Sequence, residues 1–332
     1  MKAYITKIAY VLPEKVSENP RNRLTKKTGI LSRHICGADE IASDLAMRAA
    51  EKLFDEGVDK TDVDYLLLCT QSPDYYLPTT ACILQDKLGL SNECGAIDIN
   101  LGCSGYIYGL SIAKGLIESG QCKKVLFLTA ETYSKYINEK DNTVLPLFGD
   151  AGTATIIEAV DTEDNGLEGF VLGTNGAGYQ NLIVPVGGMR QRMQDTEITE
   201  QTDEYGNYRT NRDLYMHGSA ISDFALDVVP KTVDKILDKT GITKNDVDYF
   251  VFHQANKFIL QFLQMKCDLL DYPYWNDVKE YGNTVSCSIP IALVDMMDAN
   301  QDKNINKVMS IGFGVGLSWG GCMIDLRKYS KN

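Results

Sequence analysis

Cys103 is the residue whose type and sequence context best suit a nucleophile. It lies in a run of small residues at 102–105 (Gly-Cys-Ser-Gly), where the strand-like segment 96–99 gives way to an amphipathic helical pattern. A thiol at the start of a helix feels unpaired backbone N–H groups and the positive end of the helix dipole, which favour the thiolate. The glycines would let a substrate carbonyl approach the backbone closely. The same context is typical of a small buried cysteine in a tight turn, so it leaves both interpretations open.

His253 is the first candidate for a general base, because the chain contains only three histidines. It closes the apolar run 250–253, where a buried strand is predicted to end and a polar segment begins. A histidine at a strand end could hold a proton during catalysis or could be a satisfied structural residue, and the local sequence does not separate these two roles. His34 and His217 lie in contexts more typical of surface or turn positions.

Two further segments contain residues that could bind a substrate. Asn283 lies in a loop of small residues before the helical segment 289–297, and its amide could orient a carbonyl group or cap the loop. The run 312–321 is too rich in glycine for an ordinary strand and could pass backbone close to a ligand. It does not have the pattern of a phosphate-binding P-loop.

An internal repeat indicates which elements position these residues. Residues 57–65 and 241–249 are identical at six of nine positions, at an offset of 184. An apolar strand-like segment follows each copy, and the same offset carries Cys103 onto Cys287. We therefore interpret the chain as two copies of one α/β unit.

The repeat divides the chain into an N-terminal half at 1–165 and a C-terminal half at 166–332. Residues 186–212 form a largely polar tract, and we predict that they are a long insertion in the second half. Cys103 would belong to the first half and His253 to the second. A site that uses both residues should therefore lie at the interface of the halves.

Hydrophobic periodicity predicts similar elements in both copies. Apolar residues four apart indicate an amphipathic helix over 41–53, and its counterpart runs over about 221–237. Pro230 is predicted to kink or split this second helix. Continuous apolar runs such as 125–129 indicate strands that are covered on both faces.

The composition is that of a soluble globular protein rather than of a disordered or fibrous one. Of 332 residues, 44% are hydrophobic and 23% are charged, and the net charge is −12. This acidity argues against nucleic acid or an anionic membrane as the main partner. The pattern predicts neither a membrane span nor a secretory signal. The nine cysteines show no Cys-x-x-Cys spacing, which argues against a metal site and favours a cytoplasmic protein with reduced thiols.

Several short motifs occur one after another along nearly the whole chain. They are 28–30 (Thr-Gly-Ile), 33–34 (Arg-His), 102–105, 148–152 (Phe-Gly-Asp-Ala-Gly), 253–256 (His-Gln-Ala-Asn), 281–284 (Tyr-Gly-Asn-Thr) and 312–314 (Gly-Phe-Gly). Taken together, they resemble the motifs of the 3-oxoacyl-[acyl-carrier-protein] synthase III family. The resemblance implies the duplicated thiolase fold, an α/β fold with five layers in the order αβαβα. This expectation agrees with the repeat, which was found independently.

The resemblance also implies a Cys-His-Asn triad. Cys103 would carry an acyl group as a thioester, in a ping-pong reaction with a covalent intermediate. His253 and Asn283 would donate hydrogen bonds to the thioester oxygen of a malonyl extender and stabilise the enolate formed as carbon dioxide leaves. The backbone N–H groups of Cys103 and Val315 would hold the oxyanion when the carbanion attacks. The product would be a 3-oxoacyl thioester in fatty-acid or specialised acyl-chain biosynthesis, and no metal or redox cofactor would be needed.

Substrate carriers and a partner subunit are implied by the same resemblance. Acyl-carrier protein, coenzyme A or both would carry the substrates. Phe313 and Gly314 would line the acyl pocket. Leu77 matches the position that reaches into the partner's acyl tunnel, which implies a homodimer.

The chain departs from the family pattern where the adenine of coenzyme A binds. The usual tryptophan and arginine fall at Arg23 and Lys27, and the segment before Thr28 is shorter. We therefore expect the primer to arrive on a carrier protein or an unusual donor rather than mainly on coenzyme A. Since a net charge of −12 repels an acidic carrier, a local basic patch should provide the dock. The candidate residues for donor or carrier binding are Arg23, Lys27, Thr28, Asn256, Lys257, Arg190 and Arg192.

Three alternative functions are compatible with parts of this pattern. The first is acyl transfer from Cys103 to an alcohol, an amine or a sugar without decarboxylation. The second is 3-hydroxy-3-methylglutaryl-coenzyme A synthase, which uses a glutamate base where this chain offers the neutral Gln71. The third is a partner subunit without catalytic activity, although such subunits typically lose the cysteine or the histidine.

Overall fold

Two mixed β-sheets form the centre of the structure, a computed structural model that describes residues 1–330. The strands are β1 (Lys2–Val11), β2 (Val16–Glu18), β3 (Ser32–His34), β4 (Tyr65–Cys69), β5 (Gly95–Ile99), β6 (Lys124–Glu131), β7 (Ala151–Val160), β8 (Leu167–Thr174), β9 (Leu182–Ile183), β10 (Glu200–Thr202), β11 (Tyr208–Thr210), β12 (Tyr215–Met216), β13 (Tyr249–Phe252), β14 (Lys307–Gly314) and β15 (Ser318–Asp325). The α-helices are α1 (Arg23–Thr28), α2 (Ala42–Asp55), α3 (Thr80–Lys87), α4 (Gly105–Glu118), α5 (Gly218–Thr240), α6 (Lys257–Lys266), α7 (Val278–Tyr281) and α8 (Ser288–Ala299).

The two large sheets have the same topology. The first has the strand order β1-β7-β6-β4-β5, in which β4 runs parallel to β5 and β6, and β7 runs antiparallel to β6 and β1. The second has the order β8-β15-β14-β13, with β13 parallel to β14 and the other pairs antiparallel. A parallel bridge from Phe250 to Tyr274 occupies the position that β5 has in the first sheet.

Helices and sheets alternate in five layers. Helices α2 and α3 pack on the outer face of the first sheet, and α5 and α6 form the outer layer on the second sheet. Helices α4 and α8 lie between the sheets, where α4 contacts strands of both. The order is therefore αβαβα, as the resemblance implied. Strands β4, β6, β13 and β14 are buried along nearly their whole length, because helices cover both faces of the sheets.

Short elements and individual hydrogen bonds are also repeated in the two halves. The 3₁₀ helices Lys60–Asp62 and Lys244–Asp246 lie one repeat offset apart, and each precedes a buried strand, β4 or β13. The Asp64 carboxylate accepts backbone N–H groups of Lys123 and Lys124, and Asp248, one offset later, accepts those of residues 306 and 307. The predicted internal repeat is confirmed at this level of detail. The predicted boundary at 165/166 lies in the connection between β7 and β8.

Two elements of the second half bear on the sequence predictions. Helix α5 continues through Pro230 without a break, so the proline does not split it. Within the tract 186–212, strands β10 and β11 form a hairpin. This hairpin is attached to the first half, because Arg209 forms an ion pair with the buried Asp141 at 3.3 Å. In the described part of the chain, residues 1–330, no helix has the length and apolarity needed to cross a membrane.

Candidate active site

A cavity of about 520 Å³ contains the residues singled out from the sequence. Cys103 contributes from the first half, and His253, Asn283, Phe313 and Gly314 contribute from the second. The site therefore lies at the interface of the halves, as the repeat predicted. Residues 1–330 contain no group of three or more His, Cys, Asp or Glu side chains that could hold a metal ion.

Cys103 lies in the connection from β5 to α4 and is only 3% exposed. Burial, and then the nearby charge of Glu131, raise the pKa of its thiol to about 12. The backbone N–H groups of Val315 and of Cys103 itself act in the opposite direction and lower the pKa. The nearby N–H groups therefore act in the direction that the helix start predicts, but desolvation outweighs them in the resting site.

The close approach of β14 explains the glycine-rich run after Lys307. A Cβ built on Gly314 would lie 2.9 Å from both Cβ and Sγ of Cys103. A Cβ built on Gly312 would lie 2.6 Å from the carbonyl oxygen of Cys103. Any larger residue at either position would have to displace the side chain or the backbone of Cys103.

His253 is held at the end of β13 by several contacts. Its backbone N–H donates to the carbonyl of Ile311 at 2.8 Å, and its Nδ1 lies 2.7 Å from Oγ of Ser288. The ring packs edge-on against Phe313 with centroids 5.3 Å apart. Burial lowers the pKa of His253 to about 3, against a smaller opposing effect of the Val285 backbone. The imidazole is therefore neutral at physiological pH.

Asn283 is fixed so that its amide nitrogen remains available to a ligand. Its backbone N–H donates to the carbonyl of Leu147 at 2.8 Å, and its carbonyl accepts from Gly149 at 3.0 Å. Its side-chain Oδ1 accepts the backbone N–H of Val285 at 2.9 Å. Since Asn283 lines the cavity and Oδ1 is occupied, Nδ2 is the atom that can donate to a ligand.

Glu131 is a residue of this region that the sequence analysis missed. It ends β6, is fully buried, and accepts hydrogen bonds from the backbone N–H of Gln71 at 3.1 Å, from Ser72 at 3.3 Å and from Ser286 at 2.9 Å. Burial raises the pKa of its carboxyl to about 8, although these hydrogen bonds lower it. The signal in the sequence was a single acidic residue that closes an otherwise apolar run.

Three of the residues predicted to bind a donor lie around the cavity. Lys27 and Thr28 line it, and the Lys27 ammonium lies 4.3 Å from the centre of the Phe258 ring. Asn256 also lines the cavity, but its side-chain oxygen caps α6 by accepting the backbone N–H of Ile259 at 3.0 Å. Asn256 therefore has a structural role in addition to any contact with a ligand.

Other predicted residues do not line the cavity. Leu77 is 82% exposed on its own chain, and Val315 is near the cysteine sulfur but outside the cavity lining. Arg23 begins α1 at the surface, and Lys257 packs against Gly29. Their roles in binding remain predictions. The cavity lining also does not include Arg190, which is exposed, or Arg192, which forms an ion pair with Asp195.

Comparisons with known proteins place these features in one family. Residues 97–176 match the model described as 3-Oxoacyl-[acyl-carrier-protein (ACP)] synthase III, and residues 237–326 match the model of its C-terminal part. The beta-ketoacyl-[acyl-carrier-protein] synthase III of Clostridioides difficile is 35% identical over 312 residues, 94% of this chain and 92% of the relative. That of Caldanaerobacter subterraneus subsp. tengcongensis is 34% identical over 319 residues, 96% of this chain and 92% of the relative.

Solved structures agree with the sequence comparisons. A 2.1 Å crystal structure of a 3-oxoacyl-(acyl-carrier-protein) synthase III is 43% identical, with a TM-score of 0.94, and the match covers 98% of this chain and 100% of that one. The 3-oxoacyl-(acyl-carrier protein) synthase of Burkholderia xenovorans LB400 is 34% identical, with a TM-score of 0.89 and coverage of 99% and 95%. The chain belongs to the 3-oxoacyl-[acyl-carrier-protein] synthase III family and has its duplicated thiolase fold.

Proposed function

We propose that this protein is an acyltransferase that condenses an acyl group on Cys103 with a malonyl-carrier thioester. Carbon dioxide leaves, and a 3-oxoacyl thioester forms in fatty-acid or specialised acyl-chain biosynthesis. The observation that carries the proposal is one cavity shared by a buried thiol, a neutral imidazole and an amide donor. Membership in a family of 3-oxoacyl-carrier synthases supports it.

The first half-reaction loads the primer on Cys103. Sγ attacks the thioester carbonyl of the donor, a new C–S bond forms, and the donor's sulfur leaves with the thiol proton. The backbone N–H groups of Cys103 and Val315 stabilise the tetrahedral oxyanion, since both lie close enough to the sulfur to lower its pKa. The acyl-enzyme then waits for the extender, as in other ping-pong reactions.

Decarboxylation uses His253 and Asn283. Nε2 of His253 and Nδ2 of Asn283 donate to the thioester oxygen of the malonyl group, so the enolate is stabilised as the C–CO₂ bond breaks. The carbanion attacks the acyl carbonyl, and the Cys103 sulfur leaves. Ser288 supports the His253 tautomer that carries its hydrogen on Nε2. The Oγ of Ser288 accepts the Gln254 N–H at 3.4 Å, so the Ser288 hydroxyl can donate its hydrogen bond to Nδ1 of His253. None of these steps transfers an electron, and we therefore propose that the reaction uses no metal or redox cofactor.

We propose that the primer arrives mainly on an acyl-carrier protein. Lys27 lines the cavity but is stacked on Phe258, an arrangement that does not reproduce the aromatic clamp expected for adenine. Lys27 and Lys257 lie on the adjoining helices α1 and α6 and supply positive charge for an acidic carrier. Comparing kcat/KM for one acyl group on both donors tests this proposal. A clear preference for coenzyme A, unchanged by charge reversal at Lys257, Arg190 and Arg192, would reject it.

We propose a cytoplasmic homodimer. In the described chain β5 pairs only with β4, so its outer edge is available to a second copy, and Ile97 on it is 37% exposed. Leu77, 82% exposed, would enter the partner's acyl pocket. Nine free cysteines fit a reducing compartment. Sedimentation should give a dimer, and Leu77→Ala should change acyl-length preference; a monomer with unchanged preference would reject the proposal.

Product analysis tests the main proposal against its alternatives. With an acyl donor and malonyl-carrier protein, we expect carbon dioxide and a 3-oxoacyl thioester in equal amounts. Transfer of the acyl group to an alcohol, amine or sugar without carbon dioxide would instead identify a plain acyltransferase. A 3-hydroxy-3-methylglutaryl-coenzyme A synthase is disfavoured, because Gln71 is a neutral amide whose oxygen accepts a hydrogen bond from Tyr133 at 2.5 Å. A partner subunit without activity would release no carbon dioxide at all.

A further inference from the structure

The loop that carries Asn283 belongs to the second half but is held by the first. Its 3₁₀ turn, Val285–Cys287, packs against β6, β7 and α4. Cys287 accepts a hydrogen bond from Thr129 at 3.2 Å and donates to the carbonyl of Ala151 at 3.3 Å. The amide that acts in decarboxylation is thus placed by contacts across the interface of the halves.

Glu131 makes the polar contact at the centre of this interface. One carboxylate oxygen accepts the Ser286 hydroxyl at 2.9 Å, and the other accepts the Gln71 N–H at 3.1 Å and the Ser72 hydroxyl at 3.3 Å. Thr132 donates its N–H to Ser72 Oγ at 3.2 Å, which leaves the Ser72 proton free for the carboxylate. Burying a carboxyl group completely costs free energy, and hydrogen bonds from these three neutral donors offset part of that cost.

The same contact connects Asn283 to the loop beside the nucleophile. Ser286 is three residues after Asn283, next to Val285, whose N–H fixes the Asn283 amide. Gln71 packs against the residue before the nucleophile, since a Cβ built on Gly102 would lie 2.7 Å from its side-chain oxygen. A single carboxylate therefore receives donors from the Asn283 loop and from the loop that packs beside Cys103.

We propose that Glu131 is a positioning residue that fixes the Asn283 loop relative to the loop beside Cys103. It does not touch the substrate, and it acts through Ser286 on the amide that binds the malonyl thioester. This proposal rests on the proposed function. Its consequence is a split between the half-reactions: loss of Glu131 impairs decarboxylation and leaves loading of Cys103 largely intact.

The test compares Glu131→Gln and Ser286→Ala with the wild-type enzyme in two separate assays. Above pH 8, where Glu131 is a carboxylate, Glu131→Gln replaces one acceptor oxygen with an NH₂ group, so at least one of the two loops loses its hydrogen bond. We expect acyl loading within about threefold of wild type and malonyl decarboxylation at least about tenfold slower. Ser286→Ala should give a similar loss, the double variant should be no worse than Glu131→Gln, and Ser286→Thr should retain activity. Asp248→Asn is the matched control, because this carboxylate also accepts backbone N–H groups but lies at the start of β13, at the end of the strand opposite to His253.

Several results would overturn the proposal. They are an equal loss in both assays, additive losses in the double variant, or the same loss in Asp248→Asn. Hydrogen exchange provides a readout that does not depend on activity: Glu131→Gln should speed exchange of the Val285 amide, which donates to Asn283. Unchanged exchange would reject the positioning role. Wild-type enzyme that releases no carbon dioxide would instead reject the proposed function, so the two failures are distinguishable.

Discussion

The substitution Asn283→Asp isolates the hydrogen bond that Asn283 is expected to donate. The new side chain has nearly the same shape, and one of its oxygens can still accept the Val285 N–H that fixes the present amide. The other oxygen replaces Nδ2, so a donor becomes an acceptor that carries negative charge. The local fold is preserved while the interaction with the developing enolate changes from attraction to repulsion.

The size of the effect follows from the burial of the site. Asn283 is 8% exposed and His253 is 2% exposed, so the donated hydrogen bond would form in a largely desolvated site. Loss of one donor of this kind typically costs about 3–4 kcal/mol, which is roughly two to three orders of magnitude in rate. We expect decarboxylation to fall at least about a hundredfold at neutral pH. Because protonation of the new carboxyl restores an O–H donor, the rate of this variant should rise as the pH is lowered.

The assay follows carbon dioxide release from a malonyl thioester and, separately, acyl loading by intact mass. Loading should be close to wild type, since we propose that backbone N–H groups stabilise the oxyanion in that step. Asn175→Asp is the control, because its exposed side chain also accepts an N–H two residues ahead, that of Ala177. Decarboxylation by Asn283→Asp at near the wild-type rate at neutral pH would refute the role assigned to Asn283.

Three further predictions follow from the geometry and the pKa shifts. Gly314→Ala should slow acylation of Cys103 at least about tenfold, because the added methyl lies 2.9 Å from Sγ. Gly115→Ala is the control and should leave the acylation rate unchanged, because no atom lies within 4 Å of its added methyl. Equal acylation rates in the two variants would contradict the close approach of Gly314 to Cys103. The ring resonances of His253 should not titrate between pH 5 and 8 in NMR spectra, because burial lowers its pKa to about 3; a midpoint near 6.5 would contradict this. Burial raises the pKa of Glu131 from 4.5 to about 8, so the folded state favours its protonated form and wild-type stability falls as the pH rises through this window. Chemical denaturation should show that the free energy of unfolding of Glu131→Gln minus that of wild type increases from pH 5 to pH 9. A difference that stays constant over this range would contradict the raised pKa of Glu131.

Much of the fold could be predicted because its signals are local or repeated. The apolar runs after each repeat are the buried strands β4 and β13, as expected. The repeat offset places His253 just after β13, and the family motifs identify Cys103 and Asn283. All three side chains line one cavity.

The remaining features depend on contacts between residues far apart in the chain. Glu131 and Ser286 are 155 positions apart, so no spacing rule connects them. The raised pKa of Cys103 has the same origin, because desolvation is set by the packing of both halves around the thiol. The helix start at Cys103 is a local signal that acts to lower the pKa of the thiol, but it does not reveal the larger effect of burial. Short-range sequence patterns place a residue on an element, whereas its electrostatic environment is determined by the whole fold.

Acylation of Cys103 is the most direct test of the central claim. Wild-type protein, Cys103→Ala and Cys287→Ala are each incubated with acyl donors on carrier protein and on coenzyme A, and their intact masses are measured. Cys287 is the matched control, since it occupies the repeat-related position in the second half and is buried against Thr129 and Ala151. We expect one acyl group on the wild type and on Cys287→Ala, and none on Cys103→Ala. Stoichiometric acylation of Cys103→Ala would contradict the account.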